Sequence, residues 1–208
     1  MKLRLIRHGQ TPNNVARVLD TAEPGALLTE LGHDQALTLP DRLAGTAIDS
    51  LYVSTLTRTH LTAAPLAQMR GMEPLVRSGI REVQAGSLEG GTTQEAFDAY
   101  FGTIVEWFDG DLHAKMGGGE TGYEVLERFD AVVSEAEESG ADSVAFVSHG
   151  SMISTWSALR GIGISKDFVI GHHPANTGIV ELEGTLRAGY RVLTWMGETP
   201  IAPSPENP

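Results

Sequence analysis

The chain has 208 residues, 41% of them hydrophobic and 20% charged, which suits one globular domain with a sizeable core and room for a small inserted cap. Its formal net charge of −12 excludes a nucleic-acid or anionic-lipid partner as the expectation, so a site for a phosphorylated ligand has to be a local concentration of positive charge. Cysteine is absent, which excludes a disulfide framework, a thiolate nucleophile and a Cys-ligated metal.

The opening segment, Met1 to His8, is too short and too charged for a secretory signal, and no apolar run is long enough to span a bilayer. A cytoplasmic enzyme is the expectation. Leu3 to Arg7 reads as a short strand ended by Gly9. Thr29 to Leu43 reads as a helix capped by Thr29, with Leu31, Ala36, Leu37, Leu39 and Leu43 on its apolar stripe and Pro40 predicting a kink. A second strand over Ser50–Val53 leads into a helix over Leu56–Met69, which Gly71 ends. Glu95–Phe108 and Gly122–Glu138 form two helical patterns joined through Gly117-Gly118-Gly119. A buried strand over Ser143–Val147 is followed by a helix over Ser151–Leu159, and Gly178–Leu182 and Arg191–Trp195 form a closing strand pair.

This alternation predicts an α/β fold, a three-layer sandwich with a mostly parallel central sheet, helices on both faces and a small helical cap. Residues 1–198 are expected as a single domain, with 92–140 as the cap insertion. The proline-rich segment 199–208 is expected as a disordered tail.

Three strand-to-helix junctions carry the chemistry: Arg7-His8-Gly9-Gln10-Thr11, Val53-Ser54 with Arg58 one turn into the next helix, and Ser148-His149-Gly150. In a parallel sheet such junctions share the rim at the carboxyl ends of the strands, where helix N-termini favour an anion. The glycines after the two histidines allow sharp turns and close approach of a ligand. Arg7 and Arg58 offer forked donors that stay charged, and two cations beside an imidazole oppose its protonation, leaving a ring nitrogen free to attack phosphorus. Any one of these motifs alone is an ordinary polar turn or surface cation. Their joint occurrence is the signal.

These residues resemble the histidine phosphatase superfamily, the phosphoglycerate mutase-like proteins, and within it the phosphatase branch. The resemblance rests on Arg7-His8-Gly9-Gln10-Thr11-Pro12-Asn13-Asn14, on Leu28 to Ala36, on Ser54 to Ala63, on Arg81 to Gly90, on Gly119-Glu120-Thr121 ahead of Arg128, and on Ser148-His149-Gly150. It implies that His8 is the phosphorylated nucleophile and that Arg7, Arg58 and His149 hold the transferring oxygens. Asn14, Gly9, Thr11 and Gly150 would contact the phosphate or its surroundings, and Glu82 would be the general acid, a role that requires a raised pKa. No cofactor and no metal are implied. The expected partner is a small phosphorylated metabolite, with a homodimer among the assemblies open to the chain.

Two departures from the family pattern stand out. Leu19-Asp20 occupies the place of a Gln-Gly pair, so Asp20 has to turn away from the phosphate or bind another substrate group. Thr55 and Leu61 replace the usual Pro and Gln of the second-arginine motif.

His33, His60, His113 and His172-His173 match no metal-ligand spacing and read as surface or loop histidines. Phe97, Tyr100, Phe101, Trp107 and Phe108 read as core, with an apolar substrate pocket as the other reading. Among functions, a phosphomonoesterase leads. The resemblance implies that mutases of the family are longer and carry extra basic residues for the substrate carboxylate, whereas Lys115 is the single cation here between Glu82 and Gly119. A non-catalytic phospholigand binder would not need both histidines and Glu82.

Overall fold

Strand and helix order follows from where β-rich apolar runs stop at polar junctions. In the computed structural model, which describes residues 1–200, the strands are β1 (Lys2–Arg7), β2 (Ser50–Val53), β3 (Leu75–Val76), β4 (Ser143–Ser148), β5 (Gly161–Ile162), β6 (Ile179–Thr185) and β7 (Gly189–Trp195). The helices are α1 (Pro12–Ala16), α2 (Glu30–Leu37), α3 (Leu39–Arg42), α4 (Thr57–Arg70), α5 (Gln94–Phe108), α6 (Gly122–Glu138), α7 (Gly150–Arg160) and α8 (Lys166–Gly171). Of the expected tail, residues 201–208 lie outside the described residues.

The strands form one seven-stranded sheet in the order β3-β2-β4-β1-β6-β7-β5. β1 and β2 flank β4 in parallel, β3 runs parallel beyond β2, and β6 and β7 add antiparallel to the other side. Mostly parallel is therefore right for the half that carries the junctions. Alternation along the central strands divides the core in two. Leu3, Leu5, Val144 and Phe146 face the layer built from α5, α6 and α7, whereas Ile6, Ala145 and Val147 face the layer built from α3 and α4. Among the described residues, no helix is long and apolar enough to cross a membrane.

α6 is part of the main core. Its Phe129 ring sits 5.8 Å from Phe146 of β4 and 5.1 Å from Trp156 of α7. Trp107 of α5 is fully buried and donates to the Ala114 carbonyl at 2.8 Å, so of the cap aromatics it belongs to the core. The helix expected over Thr29–Leu43 is two helices, broken at Thr38 where Pro40 sits in the first turn of α3. The sequence reading missed α1, α8 and the two-residue edge strands β3 and β5, because elements this short carry no countable periodicity.

The start of α2 braces the turn after β1. Thr29 caps α2, its Oγ1 accepting from the Gly32 amide at 3.0 Å, and it also donates to Gln10 Oε1 at 3.0 Å. The Gln10 amide in turn donates to Gln35 Oε1 at 2.9 Å. This contact is backbone on backbone: a Cβ at Gly32 would lie 2.1 Å from the Gln10 carbonyl oxygen, and one at Gly9 would lie 2.6 Å from the Gly32 oxygen. Gly32→Ala is therefore expected to destabilise the fold by about 1–3 kcal/mol in urea unfolding, since neither backbone can yield alone. Gly45→Ala, where an added Cβ meets nothing within 4 Å, is the control and is expected to leave the midpoint essentially unchanged.

Candidate active site

Register decides which residues meet. Arg7 pairs with Ser148, and Val53 with Val147, so His8, Ser54 and His149 leave the sheet side by side at one rim. The His8 amide donates to the Ser148 carbonyl at 3.0 Å, extending the β1–β4 ladder one residue into the site.

His8 is buried, and its Nδ1 lies 2.7 Å from the carbonyl oxygen of Gly9. A carbonyl only accepts, which assigns the proton to Nδ1 and leaves Nε2 with a free lone pair. The turn that brings Gly9 under the ring is itself pinned: the Gly9 amide donates to Thr62 Oγ1 at 2.9 Å, and the His8 carbonyl accepts from Asn176 Nδ2 at 3.0 Å. Burial first, then Arg58 and Arg7, holds the His8 pKa well below the ordinary imidazole range.

The His149 ring sits 5.3 Å from that of His8, centre to centre. Its Nδ1 accepts from Arg58 Nε at 3.3 Å, so its proton is on Nε2, which donates to Ser54 Oγ at 2.7 Å. Ser54 also accepts from the Leu56 amide and is in contact with Thr59 Oγ1, so the orientation of His149 is set by the start of α4. Burial, with Arg58 second, likewise lowers the His149 pKa.

Arg58, in the first turn of α4, is almost fully buried. Its Nη1 pairs with Asp20 Oδ2 at 3.2 Å and its Nη2 donates to the Asp20 carbonyl at 2.8 Å. The question the sequence raises about Asp20 has this answer: the carboxylate turns onto the guanidinium. Arg7 donates from Nη1 to the Pro174 carbonyl at 2.6 Å, while its Nε is buried without a hydrogen-bond partner. A buried charged donor left unpaired is costly, so it marks a place for an acceptor.

Glu82 reaches the site from a different segment. Its Oε1 accepts from the Val83 and Met152 amides at 2.9 and 2.8 Å, and its Oε2 from the Ser151 amide at 3.2 Å. It thereby caps α7 in place of His149, whose side chain makes no cap bond. Burial nevertheless outweighs those amides and Arg58, and the Glu82 pKa is raised above the usual carboxylate value. Its backbone is held by Arg128, which donates to the carbonyls of Gly79, Arg81 and Glu82 and pairs with Glu120 at 2.8 Å. The Gly-Glu-Thr segment and Arg128 are thus the anchor of the Glu82 loop.

A hollow of about 100 Å³ is lined by Arg7, His8, Asn14, Arg58, Glu82 and Gly150, with Asp20, Tyr100 and Phe101 at its sides. His149 is packed behind His8 and does not line it. Gly9 and Thr11 do not line it either: Gly9 holds the His8 ring, and Thr11 caps α1 by accepting from the Asn14 amide at 3.1 Å. Asn14 Oδ1 accepts from Thr11 and Asn176, which leaves the amide nitrogen for the hollow. Asn176, Tyr100 and His173 were not picked out as site residues from sequence. Asn176 and His173 stand in an irregular loop with no motif, and Tyr100 sits at helical spacing among core aromatics.

The sequence model of the histidine phosphatase superfamily (branch 1) matches residues 3–196. Phosphoserine phosphatase 1 of Hydrogenobacter thermophilus is 28% identical over 186 residues, covering 88% of this chain and 87% of that protein. The PE-PGRS family protein PE_PGRS11 of Mycobacterium tuberculosis is 31% identical over 96% of this chain, which spans only 37% of the length of that protein. Among solved structures, a mycobacterial glucosyl-3-phosphoglycerate phosphatase complexed with VO3 superposes with a TM-score of 0.79 at 25% identity, covering 95% of this chain and 99% of that one. With both histidines and both arginines on one rim and the family match running over nearly its whole length, the chain belongs to the histidine phosphatase superfamily, branch 1.

Proposed function

We propose that the protein is a phosphomonoesterase that hydrolyses a small phosphorylated metabolite through a phosphohistidine on His8. The observation that carries this reading is the 2.7 Å bond from His8 Nδ1 to the Gly9 carbonyl, which bares Nε2 in a hollow flanked by two guanidinium groups. Two relatives whose names say they remove phosphate, from phosphoserine and from glucosyl-3-phosphoglycerate, support the same reaction class.

In the first step, the Nε2 lone pair attacks phosphorus as the ester P–O bond breaks, and the protonated Glu82 gives its proton to the departing oxygen. The positive charge gained by the ring is stabilised by the Gly9 carbonyl, and Arg7 and Arg58 hold the equatorial oxygens, with Asn14 as a further donor. In the second step, water attacks phosphorus while Glu82 takes its proton; the new O–P bond forms as the Nε2–P bond breaks, its electron pair returning to Nε2, which releases inorganic phosphate and restores neutral His8. His149 acts from behind, holding Arg58 Nε and packing against His8.

Rapid acid-free quenching with a labelled aryl phosphate is expected to trap an acid-labile phosphoenzyme in the native protein. His8→Ala should give none and should lower kcat by about 10³-fold or more. Turnover of His8→Ala near the native rate would remove the proposal.

The pH profile carries its own sign. His8 must be neutral to attack, and its lowered pKa puts the acidic limb below the ordinary imidazole range. Glu82 must be protonated, so activity falls as pH rises through its raised pKa. An optimum on the acidic side of neutrality is expected. Glu82→Gln should flatten the alkaline limb and cost about 10²–10⁴-fold with an alkyl phosphate, and distinctly less with a nitrophenyl ester whose leaving group needs no proton. An equal loss on both esters would show that Glu82 does not protonate the leaving oxygen.

A further inference from the structure

Beside the phosphate hollow lies a second cavity of about 220 Å³, and the two share Phe101, Ser151 and His173 as lining. Its remaining walls are Ile104, Val105 and Phe108 of α5 and Val169 and Ile170 of α8. Phe101 and His173 meet edge to face at 6.0 Å between ring centres, on the boundary between the two spaces. His173 Nδ1 lies 3.3 Å from Ser154 Oγ on the floor, and burial of the ring, with Arg7 second, lowers its pKa to about 4.

No wall supplies a free cation. α5 has no lysine or arginine and carries Glu95, Asp98 and Glu106. The cation of α8, Lys166, pairs with Asp109 at the end of α5, and that of α7, Arg160, pairs with Asp130 at 2.6 Å. Asp20 covers the outer face of Arg58 on the opposite side of the hollow. A carboxylate in this cleft would therefore meet hydrocarbon with no lysine or arginine in the lining to pair it, whereas an apolar group would leave water for a cleft of matching character.

We infer that the leaving group of the natural substrate is an apolar alcohol, of one or two rings or a short alkyl chain, without a carboxylate, and that it occupies the cleft between α5 and α8. This rests on the phosphomonoesterase reading and narrows it. It also separates this chain from relatives whose names specify phosphoserine or a phosphoglycerate.

The test measures release of inorganic phosphate by the full-length chain from 2-phenylethyl phosphate, glycerol phosphate and phosphoserine. All three are alkyl esters, so differences in intrinsic leaving-group reactivity stay small. The expected kcat/KM for 2-phenylethyl phosphate exceeds the other two by about tenfold or more, the scale on which apolar pockets discriminate. Ile170 is half exposed, so a polar replacement there is expected to leave the fold intact. Ile170→Asp is expected to lower the preference over glycerol phosphate about fivefold or more, and Ile170→Lys to raise kcat/KM for phosphoserine relative to 2-phenylethyl phosphate. A native preference for phosphoserine or glycerol phosphate, or a preference untouched by both replacements, overturns the inference while leaving the phosphatase reading intact. Failure to hydrolyse any ester, nitrophenyl phosphate included, defeats both.

Discussion

An imidazole can attack phosphorus only if one ring nitrogen is bare, and the phosphate it attacks has to be held by cations that themselves discourage protonation of the ring. In this protein the two requirements are met by one arrangement. The Gly9 carbonyl fixes the proton on Nδ1 of His8, and the desolvated rim with Arg7 and Arg58 keeps the ring neutral. Everything nearby serves that geometry. The parallel register of β1, β4 and β2 sets the three junctions side by side, and the Gly9–Gly32 contact holds the turn that aims the carbonyl.

Burying two guanidinium groups is costly unless each finds acceptors. Arg58 finds Asp20 and His149, and is nearly satisfied without a ligand. Arg7 keeps a buried Nε without a partner. The two arginines are therefore unequal, with Arg7 offering the stronger incentive for an anion and Arg58 a charge already tempered by Asp20. Glu82 shows the opposite balance. Three amides could have held its pKa low, yet desolvation prevails, because the carboxyl sits in the closed angle between the start of α7 and the loop anchored by Arg128.

The helix layer over the site separates two kinds of work. Trp107 and Phe129 build core, whereas Phe101 and Phe108, on the same helical pattern, face a cleft open to the hollow. That cleft has no lysine or arginine in its lining, whereas the hollow beside it is lined by Arg7 and Arg58, in a chain whose net charge is −12. On the inference drawn above, selectivity would come from desolvating hydrocarbon beside the phosphate.

By itself the sequence determined the strands that end in polar junctions, a disturbance of the helical pattern at Pro40 and the segments that carry the candidate site residues, because Arg-His-Gly, Ser54 with Arg58, and Ser-His-Gly are local motifs whose turn and charge chemistry is written in adjacent residues. It could not assign Asp20 to Arg58, place Glu82 at the start of α7, put Gly9 and Thr11 behind the hollow, bring His173 to its lining, or seat Asn176 on the His8 carbonyl and Asn14. Those facts join segments separated by tens of residues, and a contact between such segments is set by sheet register and packing, which short motifs do not encode. For the same reason the aromatics of α5 read as core or as pocket without a choice between them, and only packing decided which of them fill the core and which line a cavity.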